Sequence, residues 1–372
     1  MNAINMEHPT KVLIMAGGTG GHVFPALAIA EELRARGVQV SWLGTRRGME
    51  AKLVPDAGFP IRFVPISGLR GTGLARRLSG PFLILIAIVQ SLWIILRVRP
   101  RVVLGMGGFV SGPGGVAAWL LRRPLLIHEQ NAVPGMTNRL LARLATRVME
   151  AFPESFSSVP GLAVRCPIAY TGNPVRRDIA RLPPPSERLK NREEPLRILV
   201  LGGSQGADIL NSLVPTAIAG LPDPARVSVR HQTGRQHIEP VRARYAKLRL
   251  PVEPVPFIDD MAAAYGWADL VIGRAGAMTV TELAAAGAAS ILVPYPFAVD
   301  DHQMANAHFL GNVGAAIPIR QSDLSADGLG RLIEGFLGAS GRGRLVAMAR
   351  AARALAIPDA ARRVAGRCLE YR

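Results

Sequence analysis

The chain has 372 residues, of which 49% are hydrophobic and two are cysteines, and its net charge at pH 7 is +17. This length favours two domains over one, and the hydrophobic content excludes a disordered chain. Two cysteines exclude a disulfide framework and favour a reducing compartment, and residues 1–11 lack the basic and apolar regions of a signal peptide.

The first predicted unit is a strand, a glycine turn and a helix within residues 12–30. The apolar run at 12–15 predicts a strand that is buried on both faces, and the turn GGTGG at 17–21 leads into an Ala- and Leu-rich helix. Glycines let backbone N–H groups approach an anion, and the helix N-terminus adds partial positive charge. The unit therefore predicts a phosphate-binding turn, with a tight turn that binds nothing as the alternative.

The segment that follows is basic and contains the most apolar run of the chain. Strands are predicted at 38–43 and 61–64, and a helix at 49–57. No acidic residue occurs between Asp56 and Glu129, whereas nine arginines do, so this region should attract an anionic partner. The run at 82–96 is shorter than the ~20 residues that span a bilayer. It predicts either a buried crossover helix or a helix that lies in a membrane interface, anchored by Trp93 and arginines.

A second glycine cluster, at 105–115, follows a predicted strand at 102–104 and precedes a helix that ends near 121. Another strand, at 125–128, leads into Glu129, Gln130 and Asn131. In an open parallel sheet, ligands bind at the carboxyl ends of the strands, where both glycine clusters are expected. Packing does not require three polar residues in a row at a strand end, so this trio predicts a functional role.

The opening pattern returns in the second half of the chain. Residues 196–201 predict a strand, the turn GGSQG occupies 202–206, and a helix follows at 207–219. The Pro- and charge-rich stretch at 182–195 predicts a surface loop before it. Further strands are predicted at 227–232, 252–257, 270–272 and 290–293, with helices at 238–248, 303–310 and from 345 onwards. The repeated unit predicts two doubly wound domains with a cleft between them.

Ten short motifs occur in a fixed order along the chain: AGGTGGHVFPALA, WLGT, SGLRG, VLGMGGFVSGPGG, HEQN, GNPVR, GGSQGA, FIDDMA, RAGAMTVTELAAAG and DDHQMANA. With them the chain resembles the MurG family, bacterial glycosyltransferases of peptidoglycan synthesis. The resemblance implies the GT-B fold, an α/β class in which two Rossmann-like, doubly wound parallel-sheet domains face a cleft. It implies an acceptor and membrane domain at 1–172, a UDP-GlcNAc-binding domain at 173–357, and a last helix, about 358–372, that packs back on the first domain.

The activity that the resemblance implies is inverting transfer of GlcNAc from UDP-GlcNAc to the C4 hydroxyl of MurNAc in lipid I, which gives lipid II for cell wall biogenesis, cell shape and division. No cofactor is expected. The expected partners are UDP-GlcNAc, lipid I and an anionic membrane surface, without a specific nucleic acid. The expected location is the cytoplasmic face of the inner membrane, as a peripheral protein.

The resemblance also implies roles for individual residues. The backbone of Ile258 would read the uracil, Glu282 would accept hydrogen bonds from the ribose hydroxyls, Arg176 would face the diphosphate, and Gln303 would bind the sugar. The residues that would hold the diphosphate are Ser204, Ala277, Met278, Thr279, Val280 and Thr281. From the first domain, the residues that would reach the donor are Thr19, Gly20, Gly21 and Asn131.

Inversion requires a general base near the acceptor, and His22 is the first candidate. It begins a helix, where the positive end of the dipole disfavours imidazolium, and a neutral imidazole can accept a proton. Glu129 is the second catalytic candidate, and His302 is expected nearer the donor. A phosphate-binding or capping role for His22 is the alternative. No D-x-D motif occurs, so no metal site is predicted.

Three other classes of function fit parts of the pattern. Another GT-B enzyme that uses a UDP-sugar, such as a lipid-sugar transferase or a UDP-GlcNAc epimerase, shares the nucleotide half of the pattern but not the acceptor half. A nucleic-acid-binding protein fits the charge, but aromatic residues make up only 5% of the chain and no RNA or DNA module is evident. A nicotinamide dehydrogenase is disfavoured because neither glycine turn has the G-x-G-x-x-G spacing.

Overall fold

The structure is a computed structural model that describes residues 10–65, 74–192, 194–203 and 206–371. The chain divides into two compact units. Unit 1 comprises Met1–Val175 with Asp359–Arg372, and unit 2 comprises Arg176–Pro358. The SGLRG motif and Ser204 lie outside the described residues. Each unit is a parallel α/β unit, so the predicted fold class is confirmed.

Unit 1 is built on a parallel sheet with the strand order β3-β2-β1-β4-β5-β6-β7. Its strands are β1 (Lys11–Met15), β2 (Gln39–Gly44), β3 (Ile61–Phe63), β4 (Val102–Gly105), β5 (Leu125–Glu129), β6 (Arg147–Glu150) and β7 (Ile168–Tyr170). The helices of this part of the chain are α1 (Gly20–Ala35), α2 (Glu50–Asp56), α3 (Leu74–Val98), α4 (Ser111–Leu120) and α5 (Met136–Leu141). The sequence did not indicate β6 and β7, which are only four and three residues long.

The central strand β1 is buried on both faces, as its apolar run predicts. Val12 and Ile14 belong to the core cluster that includes Ile29 of α1, whereas Leu13 and Met15 belong to a second cluster on the opposite face. Successive side chains of a strand alternate between faces, so each face of the sheet needs its own helical cover. The turn that follows β1 is therefore held at the carboxyl edge of a fully packed sheet.

Unit 2 has a parallel sheet with the order β12-β11-β10-β8-β9. Its strands are β8 (Leu196–Leu201), β9 (Val227–Gln232), β10 (Leu270–Gly273), β11 (Ala289–Leu292) and β12 (Ala316–Pro318). Its α-helices are α6 (Arg177–Ala180), α7 (Pro185–Arg188), α8 (Asp208–Ala219), α9 (Ile238–Lys247), α10 (Met261–Trp267), α11 (Ala277–Ala286), α12 (His302–Gly311), α13 (Ala326–Glu334) and α14 (Gly338–Ala354). The glycine turn GGSQG follows β8 just as GGTGG follows β1.

The last helix, α15 (Ala360–Leu369), belongs to unit 1 and packs against α1. Its buried residues Val364, Ala365 and Cys368 join the core cluster of that helix. Beyond the helix, Glu370 forms an ion pair with Arg147 at 3.0 Å. An apolar stripe and an ion pair therefore hold the end of the chain on unit 1.

The strand predicted at 252–257 is wrong. Only Val255 pairs with β9: its N–H donates to the carbonyl of His231 at 2.9 Å, and its carbonyl accepts from the N–H of Thr233 at 3.0 Å. Pro254 and Pro256 flank it, and proline has no N–H to donate to a ladder. The segment therefore runs beside the sheet as a loop.

The surface loop predicted at 182–195 is also wrong in its central part. It contains α7, and the half-buried guanidinium of Arg188 donates to four backbone carbonyls of unit 2, those of Tyr265, Ala268, Ala286 and Gly287. Arg192 forms an ion pair at 2.8 Å with Asp269, which is 4% exposed. The guanidinium groups of Arg188 and Arg192 therefore attach this segment to unit 2, because buried carbonyls and carboxylates need hydrogen-bond donors.

Candidate active site

The two glycine clusters of unit 1 meet at the carboxyl edge of its sheet. The N–H of Met106 donates to the carbonyl of Met15 at 2.8 Å, which joins the end of β4 to the end of β1. A β-carbon at Gly108 would lie only 2.5 Å from the carbonyl oxygen of Gly17, and Gly108 has a φ of +77°. Glycine is therefore required at this position both for its conformation and for the close approach of the two turns.

A buried carboxylate that the sequence did not reveal supports the first turn. Glu50 is fully buried at the start of α2. It accepts hydrogen bonds from the N–H of Gly18 at 3.0 Å, from the N–H of Thr45 at 2.8 Å and from the hydroxyl of Thr45 at 2.7 Å. The two bonds from Thr45 hold the carboxylate in place, and the first bond holds Gly18, whose φ is +94°, at the start of the turn that carries Thr19, Gly20 and Gly21. A glutamate near a strand end gives no sequence signal for this role.

His22 lies in the first turn of α1 and is half-buried. Its Nδ1 is 2.8 Å from Oε1 of Gln130, which follows β5. A β-carbon at Gly107 would lie 3.0 Å from Cε1 of His22, so a glycine of the second cluster makes room for the ring. The ring is therefore held between the two turns and the end of β5. The polar trio at the end of β5 predicts a functional role, and its middle member, Gln130, is in contact with His22.

Glu129, the second candidate base, is 2% exposed and holds the loop that follows it. Its Oε1 accepts from the backbone N–H and the side-chain amide of Asn131 at 2.9 and 3.2 Å. Its Oε2 accepts from the N–H of Gly135 at 3.0 Å and from the amide of Asn138 at 2.9 Å. Four N–H donors occupy both oxygens of Glu129, which favours a role in positioning Asn131 over a role as base.

In unit 2, Glu282 is held between a tyrosine and an arginine. Its Oε2 accepts a hydrogen bond from the hydroxyl of Tyr265 at 3.2 Å, and its Oε1 lies 3.6 Å from Nη2 of Arg176. Burial raises the pKa of Glu282, and the arginine and the tyrosine oppose that shift. The structure therefore brings two of the predicted donor residues, Arg176 and Glu282, into one ion pair.

Ile258 reaches the same region through the loop between α9 and α10. The neighbouring residue Asp259 accepts a hydrogen bond through its carbonyl from Nη1 of Arg176, at 3.4 Å. The N–H of Ile258 donates to Oε1 of Gln232 at 3.0 Å, and Nε2 of Gln232 donates to the carbonyl of Gly203 at 3.1 Å. Gln232, which the sequence did not single out, thus connects the predicted uracil loop to the second-half glycine turn.

The remaining predicted donor residues lie on α11 and α12. Helix α11 follows β10 and carries Glu282. Its first half consists of Ala277, Met278, Thr279, Val280 and Thr281. The hydroxyl of Thr281 donates to the carbonyl of Ala277 at 2.7 Å. Gln303 lies on α12, and its Oε1 accepts from the N–H of Tyr295 at 3.0 Å. Helix α11 begins just after the carboxyl end of β10, and its N-cap residue Gly276 makes no side-chain cap hydrogen bond, so its first N–H groups are suited to bind an anion there.

Family comparisons match both halves of the chain. Residues 12–150 match the N-terminal domain of glycosyltransferase family 28, and residues 197–364 match its C-terminal domain. The chain belongs to glycosyltransferase family 28. It is therefore a glycosyltransferase, and the prediction of a transferase with two α/β domains is confirmed.

Individual relatives align with nearly the full length of this chain. A protein of Nitrosococcus oceani named UDP-N-acetylglucosamine--N-acetylmuramyl-(pentapeptide) pyrophosphoryl-undecaprenol N-acetylglucosamine transferase is 56% identical over 97% of this chain and 98% of its own. The crystal structure of Acinetobacter baumannii MurG is 43% identical, covers 97% of this chain and 100% of its own, and has a TM-score of 0.83. A UDP-N-acetylglucosamine 2-epimerase has a TM-score of 0.63, with 96% of this chain and 95% of its own covered, but at 12% identity it shares only the fold.

Proposed function

We propose that this enzyme transfers GlcNAc from UDP-GlcNAc to the MurNAc hydroxyl of lipid I and so forms lipid II. The observation that carries the proposal is that a relative named for this reaction is 56% identical over nearly the whole length of both chains. The acceptor half therefore matches as well as the nucleotide half. An epimerase is disfavoured because its likeness to this chain, at 12% identity, is one of fold alone.

The donor binds to unit 2 in this proposal. The loop at Ile258 reads the uracil, the carboxylate of Glu282 accepts hydrogen bonds from the two ribose hydroxyls, and Gln303 binds the sugar. The N–H groups at the start of α11 and the guanidinium of Arg176 stabilise the diphosphate and the negative charge that develops on departing UDP. The ion pair of Arg176 with Glu282 supports this assignment, because it places a cation beside the ribose carboxylate.

The acceptor is activated in unit 1. His22 takes the proton from the sugar hydroxyl while its oxygen bonds to the anomeric carbon, and the bond to UDP breaks on the opposite face, which inverts the configuration. The glycine turns bind the diphosphate of lipid I through backbone N–H groups. Glu129 holds the loop of Asn131, which contacts the donor together with Thr19, Gly20 and Gly21.

Release of UDP from UDP-GlcNAc tests this function. We expect release to require a lipid I analogue and to persist in EDTA, because helix N–H groups and Arg176 meet the diphosphate charge in place of a metal. The residues that the structure describes include no group of three His, Cys, Asp or Glu that could hold a metal ion. Release without the acceptor would contradict the proposed transfer. Complete loss in EDTA, restored by a divalent cation, would contradict the metal-free mechanism.

We further propose that unit 1 lies on an anionic membrane surface through α3. Within this helix, Gly80–Val98 is long and apolar enough to cross a membrane by length and composition, which is longer than the sequence run suggested. Its residues Ala87, Ile94 and Ile95 pack into the core of unit 1. Because one face packs against protein, the helix is suited to lie in the interface rather than to span the bilayer.

The other face of α3 is apolar and exposed. Its exposed side chains include Phe82, Leu85, Val89, Trp93 and Leu96. Nearby on α4 and α5, further exposed apolar residues are Trp119, Leu120, Met136 and Leu140. The guanidinium of Arg97 lies 3.9 Å from the centre of the Trp93 ring, which is an arrangement suited to the aromatic and cationic layer of a membrane interface.

Vesicle binding is expected to rise with anionic lipid content and to fall with added salt, because exposed charges are screened. Replacing Phe82 and Leu85 together with serine should weaken binding about tenfold or more, since each side chain loses apolar burial. Phe297→Ser is the matched control, because Phe297 is 80% exposed but belongs to unit 2. Equal binding to neutral vesicles at every salt concentration would exclude the arginines as the cause.

A further inference from the structure

A line of hydrogen bonds runs inward from His22 through unit 1. Nδ1 of His22 lies 2.8 Å from Oε1 of Gln130, and Nε2 of Gln130 lies 3.0 Å from Nδ1 of His128. Nε2 of His128 in turn lies 3.0 Å from the carbonyl oxygen of Gly172. Gln130 is 1% exposed and His128 is fully buried, so protein groups decide the direction of every proton in this line.

The inner end of the line has only one possible arrangement. The carbonyl of Gly172 can only accept, so Nε2 of His128 carries the proton and donates it. Burial lowers the pKa of His128 to about 4, which keeps its ring neutral near pH 7. A neutral ring that carries its proton on Nε2 has a lone pair on Nδ1. Nδ1 of His128 is therefore an acceptor.

The orientation of the Gln130 amide follows from that acceptor. Its Nε2 lies 3.0 Å from Nδ1 of His128 and 3.1 Å from the backbone carbonyl of the same residue, and both groups are acceptors. The reverse orientation would set the amide oxygen against two lone pairs. The amide oxygen of Gln130 consequently faces His22 and requires a donor there.

We propose that Gln130, oriented by His128, is a positioning residue that holds His22 in the tautomer with its proton on Nδ1 and its lone pair on Nε2. This inference rests on the proposed role of His22 as the base. Nε2 then accepts the proton of the acceptor hydroxyl, and no described residue makes a hydrogen bond to it. After the transfer Nδ1 still donates to Gln130, so the ring keeps its partner and its orientation through the reaction.

The choice of an amide has a chemical consequence. A carboxylate at this position would attract positive charge on the ring and hold it as imidazolium. The amide oxygen selects the tautomer without adding a negative charge. Gly107, whose β-carbon would lie 3.6 Å from Oε1 of Gln130 and 3.0 Å from the His22 ring, leaves room for this contact.

¹⁵N NMR of the full-length protein with ¹⁵N-labelled histidine tests the proposal directly, because a protonated and an unprotonated ring nitrogen differ in chemical shift. We expect His22 to show a protonated Nδ1 and an unprotonated Nε2 at neutral pH. Gln130→Met, which keeps the length but removes the acceptor, should give a mixture of tautomers. It should also lower kcat by ~10–100-fold, the range found when a partner that orients a metal-bound imidazole is removed, with the Kd for UDP unchanged.

Asn138→Leu is the matched control. Asn138 donates to the same His128 carbonyl at 3.1 Å and is also buried, but its amide bonds only to that carbonyl and to Glu129 among the described residues. Its replacement should leave the tautomer of His22 unchanged. In a His22→Ala background, Gln130→Met should lower kcat no further, because Gln130 acts through His22.

A His22 ring that carries its proton on Nε2 in the unaltered protein would overturn the inference, and this spectrum is informative even if Gln130→Met fails to fold. An unchanged tautomer in a folded Gln130→Met variant would also overturn it. Failure of the proposed function is seen separately, as absence of lipid I-dependent UDP release, since the NMR measurement needs no substrate.

Discussion

Replacing His22 with alanine is expected to lower kcat by ~10²–10⁴-fold, the usual contribution of a general base. The Kd for UDP should change little, because the predicted contacts to the uracil, the ribose and the diphosphate belong to unit 2. The acidic limb of the rate–pH profile should disappear, since that limb reports protonation of the base. Steady-state kinetics with a lipid I analogue over a range of pH, together with calorimetric titration of UDP, measures all three quantities.

The structure supplies a rescue experiment for this variant. Alanine leaves a space beside Gly107 and Gln130 that the ring of His22 occupies. Added imidazole should restore part of the turnover, and substituted imidazoles should do so in the order of their basicity. A folded variant that keeps near-normal turnover, or keeps the acidic limb, would move the assignment of the base to Glu129. If His22 only binds a phosphate, His22→Ala should instead raise KM for the acceptor, and added imidazole should not restore its turnover.

The sequence predicted the elements in which local signals agree. The apolar runs of β1 and β8, each followed by a glycine turn, allowed both strands and the helices after them to be placed within a few residues. The prediction of a strand at 252–257 is wrong because it gave more weight to the apolar side chains than to the two prolines. A pattern of side chains does not show whether the backbone N–H groups that a sheet needs are present, and proline has none.

Charged and polar side chains were the least predictable part of the structure. Arg188 lies in a Pro-rich, charged stretch, and nothing local indicates that its guanidinium serves four carbonyls brought from distant segments. The same holds for Glu50 and Gln232, whose partners come from other segments of the chain. The residue types at the site followed from the motifs, but the direction of each hydrogen bond depends on contacts that only the fold creates.

Glu282→Ala should weaken binding of UDP-GlcNAc tenfold or more. A carboxylate that accepts two ribose hydroxyl bonds contributes ~1.5–3 kcal/mol for each charged hydrogen bond, and about 1.4 kcal/mol corresponds to a factor of ten. The variant should also unfold at a lower temperature, because the buried hydroxyl of Tyr265 loses the acceptor that lies 3.2 Å away. Calorimetric titration with UDP-GlcNAc measures the affinity, and thermal unfolding of the free protein measures the stability.

Tyr265→Phe separates these two effects. It removes the same hydrogen bond from the donor side and keeps the carboxylate, so affinity for UDP-GlcNAc should remain close to that of the unaltered enzyme. Equal weakening by Tyr265→Phe and Glu282→Ala would mean that Glu282 acts through the fold and does not contact the ribose. Unchanged affinity in a folded Glu282→Ala variant would remove Glu282 from the donor site altogether.

Lowering the pH also tests whether the carboxylate of Glu282 binds the ribose, without the cavity that Glu282→Ala leaves. Because burial raises the pKa of Glu282, the carboxyl group gains its proton at a higher pH than an exposed glutamate does. The protonated group loses an acceptor for the ribose diol, so affinity for UDP-GlcNAc should fall as the pH drops through that raised pKa and be fully present above it. Glu282→Gln, which has the shape of the protonated group and no proton to gain, should bind weakly at every pH. A fall on acidification that persists in Glu282→Gln would assign the pH dependence to another group.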